Sequence, residues 1–380
     1  MELLLIGERY SQNLGDALLC ECLANICKKM YPDSVLHELD ISGKQGYGYK
    51  NEQTGIAKNK KIKSILKKIL SLYFSNVLRT YDLSKEIKRI KLAKIKYAIF
   101  SGGSLFMDYF ALQIFILIKI LSWNNIPVIF NCIGLSELKS NDKINLYLLR
   151  YAVNHKIVIS VTIRDGIDYF KENIFSRTDL IIEKTLDPAF ELKDYYTINN
   201  TIAIKKIGIG IMDIRSINKT GYITINEATY ILVIKCIIKI LRKLNLDFEF
   251  FTNGLVDDQK YAEYICKILK EKEKMSERPL QPTDIVNNVV RYSRIISFRL
   301  HSLIVATSLG IPSIGFIWEN KVKEFAYLIG NSYFINFHDD VINQLEKSLK
   351  WLLNEKLEVS FPKNIKLTSE HIESLRLNRT

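Results

Sequence analysis

The stretch RIISFRLHSLIVATSLGIPSIGFIW, Arg294–Trp318, decides how this chain folds. A short apolar run ends at Arg299, Leu300 and His301, a segment of helical periodicity covers Ser302–Leu309, and Gly310-Ile311-Pro312 returns the chain to a second apolar run. Strand, tight turn, helix and strand in that order make a crossover unit of parallel sheet. The turn then falls at the carboxyl edge of the sheet, where α/β proteins bind ligands and where a helix N-terminus attracts anions. Two apart in an extended segment, Arg299 and His301 would point to the same side. Arginine supplies a permanent, bidentate charge for phosphate or carboxylate, and histidine a proton near neutral pH. A structural ion pair and a capping histidine would use the same two residues.

The same alternation extends in both directions. LLLIG precedes a helix from about Asp16 to Met30; YAIFSGG, PVIFNCIG and VISVTIRD each precede a further helical segment. After Asp187 and Pro188 the polar segment Glu191–Asn200 reads as a linker. The pattern restarts with KKIGIGIMDI, a long helix near Ile225–Leu244, FEFFTNG, a helix near Asp257–Lys270 and the quoted unit. A chain of 380 residues exceeds the usual limit for one core. The expectation is therefore α/β, with two Rossmann-like domains: 1–195, carrying a basic insertion near 44–96, and 200–355, with 356–380 as a polar tail.

Composition narrows the class. The 48% hydrophobic content is that of a globular protein. The N-terminus lacks a signal peptide's charged start and long apolar core, and the most apolar long stretch, Ala111–Trp123, is too short to span a bilayer and carries Lys119. The expected location is cytoplasmic. Six cysteines without a CxxC pair read as reduced core thiols, and no metal site is expected. Of the net charge of +13, residues 58–96 hold +11, with thirteen Lys or Arg against Asp82 and Glu86. There Ile62, Ile65, Leu66, Ile69, Leu70, Tyr73 and Val77 fall on one helical face, and Lys60, Lys61, Lys63, Lys67 and Lys68 lie largely off it. Such a helix could lie on an anionic membrane at the inner face of the cell envelope, or pack on the domain with solvated lysines outside. No zinc spacing, RNP-like motif or basic-aromatic interleaving accompanies the charge, so nucleic acid is not an expected partner.

Three further turns share the form of the first. Asn13, Gly15 and Asp16 stand between the first strand and first helix, with Asp16 also suited to an N-cap. Ser101-Gly102-Gly103-Ser104 is a glycine-rich turn that lets a ligand or another segment approach the backbone. Arg164 and Asp165 end one strand and open a helix, an arrangement that a capping Asp beside a surface Arg would also give.

Taken in order, these turns resemble the polysaccharide pyruvyl transferase family. The residues carrying the resemblance are NLGD at 13–16, SGGS at 101–104, IRD at 163–165, DPAF at 187–190, RLH at 299–301, and GIP followed by Lys321 and Phe325. It runs from the first strand to about Gly330 and leaves out 44–96. The resemblance implies two Rossmann-like domains in a GT-B-like arrangement, phosphoenolpyruvate as donor, and as acceptor a sugar of a bacterial surface glycan, such as an exopolysaccharide, capsule or O-antigen, or its lipid-linked precursor. It implies that Arg164 and Arg299, with Leu300, Ser302, Gly102 and Gly103, bind the donor, that His301 is the catalytic acid, and that phosphoenolpyruvate is a co-substrate with no cofactor besides it. Asn13, Gly15, Asp16, Asp165 and Lys321 are acceptor-side or supporting candidates. Where relatives often carry a more glycine-rich first turn, this chain has Glu8, Arg9 and Tyr10.

Two other classes compete. A GT-B glycosyltransferase would bind a nucleotide diphosphate at the same helix terminus, although no two aspartates stand in a DxD spacing. A non-catalytic scaffold of a glycan-assembly complex would have no use for Arg164, Arg299 and His301 together.

Overall fold

The computed structural model describes residues 1–47, 76, 78–135, 143–196, 206–337, 340–354, 362 and 365–377. The chain divides into two compact units: Met1–Ser11, Leu19–Asp187 and Thr368–Thr380 form the first, Gln12–Leu18 and Pro188–Leu367 the second.

In the first unit the strands are β1 (Glu2–Gly7), β2 (Val35–Asp40), β3 (Ile95–Phe100), β4 (Gly103–Phe106), β5 (Val128–Leu135), β6 (Val158–Ile163) and β7 (Ile182–Lys184). They pair in parallel in the order β2-β1-β3-β5-β6-β7, with β4 added on β5. The helices between them are α1 (Leu14–Met30), α2 (78–87), α3 (Ala111–Trp123), α4 (Lys143–Val153) and α5 (Ile167–Asn173). Runs such as LLLI in β1 and VIF in β5 are apolar because both faces of the sheet are covered, and β5 stays buried even at Asn131. Leu83 and Ile87 of α2 enter the same core as Phe100, Phe130 and Leu117. The chain leaves β1 towards β2 and returns on the other side as β3, so the strand order reverses between β1 and β3.

The second unit repeats the plan. Its strands are β8 (Ile207–Gly210), β9 (Phe248–Phe251), β10 (Arg294–Ser297), β11 (Ser313–Ile317) and β12 (Ile335–Asn336). They pair in parallel as β12-β11-β10-β8-β9, and the order reverses between β8 and β10. The helices are α6 (Ile214–Lys219), α7 (Glu227–Lys243), α8 (Val256–Leu269), α9 (Pro282–Val290), α10 (Leu300–Ser308), α11 (Asn320–Leu328) and α12 (Val341–Asn354). Caps set their starts: the Asn226 side chain accepts from the Thr229 amide, and Gln281 and Asp284 form a capping box around Pro282. Phe298, directly after β10, stacks on Phe316 at 4.1 Å and packs on Tyr230 at 4.7 Å, which fixes where the turn into α10 begins.

Four expectations change. Of the expected linker 191–200, Glu191 to Asp194 instead complete a 3-10 turn, Pro188–Asp194, in which Phe190, Glu191 and Leu192 are buried and the Phe190 carbonyl accepts from Ser308 Oγ at 2.7 Å; residues 197–200 lie outside the described residues. The apolar Pro188, Ala189, Phe190 and Leu192 carry that packing. The C-terminal residues are not merely a polar tail: α13 (Thr368–Ser374) returns to the first unit, burying Ile372 and placing His371 Nε2 2.9 Å from Ser160 Oγ of β6. Within the basic window, 78–87 and Ile95–Phe100 are core elements of the first unit, so the stretch 44–96 does not end as an insertion. The amphipathic face at 62–77 and its lysines lie outside the described residues. Finally, α10 starts at Leu300, two residues earlier than the sequence suggested, with Arg299 as its extended N-cap.

Candidate functional site

The carboxyl edge of the second sheet gathers the ends of four strands. Asp213 follows β8, Asn253 follows β9, Arg299 and His301 follow β10, and Trp318–Lys321 follows β11. Because the order reverses between β8 and β10, Arg299 stands at the switch point of this sheet.

Since α10 opens at Leu300, Arg299 is still extended while His301 already lies in the helix, and their side chains take different partners rather than one side. The Arg299 guanidinium grips Asp258 of α8 in a fork, Nε and Nη2 each at 2.7 Å, and Asp258 is completely buried. Asp258 Oδ1 also accepts from the Asp213 amide at 2.9 Å, so one carboxylate ties the ends of β8 and β10 together. Two bonds to a planar acid fix the plane of the guanidinium, and Arg299 is 12% exposed as a side chain. Leu300 is buried and offers only backbone to the turn, while Ser302 Oγ donates to Asn253 Oδ1 at 2.5 Å, pinning the first turn of α10 to the end of β9.

His301 meets the NLGD segment. Its Nε2 lies 3.8 Å from Asp16 Oδ1, and Asn13 Nδ2 donates to Asp16 Oδ2 at 2.7 Å, aiming that carboxylate. Asp16 sits inside the first turn of α1, not at its cap. A Cβ on Gly15 would lie 2.1 Å from His301 Nδ1 and 2.3 Å from its Cγ, so the ring rests directly on the Gly15 backbone. The Leu14 amide donates to the Asn253 carbonyl at 3.2 Å, and Gly254, at φ +95°, leaves room for the Leu14 side chain. Sequence reasoning thus named Asn13, Gly15, Asp16, Arg299, His301 and Ser302, and the fold brings them together. Lys321 takes other partners, pairing with Glu319 at 2.7 Å and lying over the Trp318 ring.

Arg164, Asp165, Gly102 and Gly103 belong to the first unit. Arg164 Nε donates to Asp165 Oδ2 at 2.9 Å and Nη1 to Asp187 Oδ2 at 3.0 Å. Burial works against its charge, but the two carboxylates outweigh it and raise its pKa above the ordinary arginine value. Asp165 Oδ1 accepts from the Leu135 amide at 2.9 Å and so also secures the end of β5. Gly102 and Gly103 are both in the left-handed region, and a Cβ on Gly102 would approach the Cys132 carbonyl to 2.9 Å. That carbonyl is turned inward by an irregularity in β5, where Cys132 itself takes φ +51° and its amide is satisfied by Thr162 Oγ1 at 2.7 Å.

Sequence reasoning missed Asp258, Asn253 and the holding role of Asp187. Asp187 was visible as part of DPAF. Asp258 carries no local signal, being 41 residues from the arginine it orients. Among the described residues no three His, Cys, Asp or Glu side chains converge as a metal set, and no helix is long and apolar enough to cross a membrane.

Two parallel sheets of this order, with polar and charged groups assembled at a carboxyl-edge switch point, define a GT-B-like α/β protein. Solved structures agree on the fold: UDP-GlcNAc 2-epimerase from Methanocaldococcus jannaschii in complex with UDP-GlcNAc and UDP superposes with a TM-score of 0.56 at 13% identity, covering 100% of each chain. The Staphylococcus aureus MnaA-UDP structure gives 0.54 at 15% identity over 99% of this chain and 97% of that one, and the Neisseria meningitidis UDP-GlcNAc 2-epimerase gives 0.51 at 13% over 100% of both. No curated protein matches the sequence. The family model for polysaccharide pyruvyl transferase matches residues 13–320, and the chain belongs to that family of transferases.

Proposed function

We propose that this transferase moves the pyruvate unit of phosphoenolpyruvate onto two hydroxyls of a sugar in a bacterial surface polysaccharide, or in its lipid-linked precursor, closing a ketal and releasing phosphate. The observation that carries the reading is the pairing of Arg299, immobilised by Asp258, with His301, seated on Gly15 beside Asp16, at the mouth of α10. A small trianion needs fixed cations and a helix terminus, and its enol double bond needs an acid.

In the proposed reaction His301 protonates the methylene carbon, and the adjacent carbon becomes electrophilic. One sugar hydroxyl adds there, forming the first C–O bond and giving up its proton. A second hydroxyl then displaces phosphate, breaking the carbon–oxygen bond to it and forming the second ketal bond. Two hydroxyl protons are released in all; one replaces that given by His301, and the other leaves with phosphate. Asp16, 3.8 Å from His301 Nε2, is the candidate to receive a hydroxyl proton or to hold the imidazolium, and Asn13 keeps its carboxylate aimed. Arg299 takes one anionic group of the donor. Arg164, in the first unit, is the second donor-binding candidate, with Asp165 as its orienting partner, and Gly102 and Gly103 are candidates for backbone contact with the donor. Lys321 serves the acceptor in this reading. The reaction as written draws on no cofactor. The enzyme would work in the cytoplasm at the inner face of the membrane, where lipid-linked sugars are assembled and where the basic stretch 58–96 could contact anionic lipid.

A nucleotide-sugar glycosyltransferase is the second reading, and the UDP named in the neighbouring structures is its support. Calorimetry with phosphoenolpyruvate, UDP and GDP on the wild type, Arg299→Ala and His301→Ala separates the two. Phosphoenolpyruvate binding that weakens in Arg299→Ala supports pyruvyl transfer. Tight nucleotide binding with no response to phosphoenolpyruvate overturns it.

A further inference from the structure

Arg79 is the most unusual cation of the first unit. It belongs to α2, in the stretch that the family resemblance leaves out, yet only 6% of it is exposed. Its guanidinium stacks on the Tyr109 ring, 3.3 Å from the centroid, and its Nη2 donates to the neutral Asn76 side chain. Nε is buried and has no hydrogen-bond partner among the described residues. No described carboxylate lies within ion-pair distance; Glu8, just past β1, is the acid whose charge reaches it. Between residues 48 and 77 the sequence offers one carboxylate, Glu52, against seven lysines. Contrast Arg164 and Arg299, each held by buried aspartate. Burial pushes the Arg79 pKa down to about 10, with Glu8 acting the other way, so the group is still charged at neutral pH. A buried charge without a counter-ion is costly unless something anionic arrives to balance it.

Its place favours such a ligand. Tyr109 lies in the loop after β4, Glu8 after β1, and both loops stand at the carboxyl edge of the first sheet. The same loop opens α3, a helix of 13 residues whose first turn no described side chain caps. Gln113 of that turn donates to the Asn76 carbonyl and to Thr80 Oγ1, each at 3.4 Å, which brings α2 and the N-terminus of α3 together around Arg79. Tyr109 is 45% exposed although Arg79 lies over its ring and Phe110 packs edge-on, so a sugar can still reach the aromatic side chain.

We infer that Arg79, the Tyr109 ring and the uncapped N-terminus of α3 form a binding site for a phosphate group carried by a sugar, distinct from the group of residues around Arg299. A free phosphate or the phosphate of phosphoenolpyruvate shares that chemistry, and the test separates these sources. The inference does not require that pyruvyl transfer occur.

The experiment measures binding of inorganic phosphate, glucose 1-phosphate and phosphoenolpyruvate to the full chain and to Arg79→Met and Arg79→Lys, with chloride at matched ionic strength as control. Loss of glucose 1-phosphate affinity by roughly 10- to 100-fold in Arg79→Met, with phosphoenolpyruvate unaffected, is the expected result. If phosphoenolpyruvate loses affinity instead, the sugar-borne assignment is overturned and the site is the donor's. If all three ligands bind the variants like the wild type, there is no site. Melting temperatures give an independent reading: in phosphate-free buffer Arg79→Met is expected to unfold at or above the wild-type temperature, whereas a lower temperature would mark Arg79 as structural. Arg79→Lys keeps the charge and loses the fork, so it reads the loss of phosphate affinity even if the methionine variant fails to fold.

Discussion

Replacing Gly15 by alanine tests whether the seat of His301 matters to chemistry. Ordinary contact begins near 3.4 Å, and the new Cβ would sit 2.1 Å from Nδ1, so the imidazole must move by about 1.3 Å or rotate away from Asp16. The backbone of Gly15 is not in the left-handed region, and alanine inside α1 gains up to ~1 kcal/mol of helix propensity. Stability should therefore stay within ~1–2 kcal/mol of wild type by urea unfolding, because that gain offsets part of the steric cost. A catalytic group displaced by ~1 Å loses on the order of 100-fold in rate. The assay is phosphate release from phosphoenolpyruvate with a glycan acceptor, accompanied by the ring resonances of His301 in histidine-labelled protein. Unchanged turnover with shifted resonances would refute the claim that this position of His301 sets the rate. Unshifted resonances would refute the packing itself.

Three further outcomes follow from one ion pair and two histidines. Asp258→Asn leaves Arg299 without its carboxylate and should cost ~3 kcal/mol or more of stability, read as a lower urea midpoint, together with weaker phosphoenolpyruvate binding; an unchanged midpoint would show that the pair contributes nothing. His371→Ala leaves Ser160 Oγ without its 2.9 Å partner inside the first unit and should cost ~1–3 kcal/mol, with earlier proteolysis of the C-terminal helix as the local readout. His155 has its pKa lowered below 6.5 by burial and then by Lys119, Lys156 and Arg177, while its Nδ1 accepts from the Ile157 amide at 3.3 Å. A lowered histidine favours the fold above its unfolded pKa and loses that contribution as pH falls through the folded value. The loss as pH falls below about 6.5 should be smaller in His155→Gln, and identical pH profiles of unfolding would disprove it.

What the sequence determined by itself was the alternation of apolar runs and helical periodicity, hence two parallel sheets, and the turns where charged residues gather. These are local properties: burial on both faces of a parallel strand demands an unbroken apolar run, and a strand-turn-helix puts its turn at one edge. The order of NLGD, SGGS, IRD, DPAF and RLH sufficed for the family. Tertiary structure alone decided which groups meet. Asp258 orients Arg299 from another helix, Asn253 and Leu14 join segments far apart in sequence, and the C-terminal helix returns to the first unit through His371 and Ile372. Such pairings depend on strand order and helix register, which no window of sequence carries, and a two-residue difference in the start of α10 was enough to send Arg299 and His301 to separate partners. Arg79 shows the same limit from the other side. In the sequence it is one cation among thirteen, and only burial without a carboxylate sets it apart.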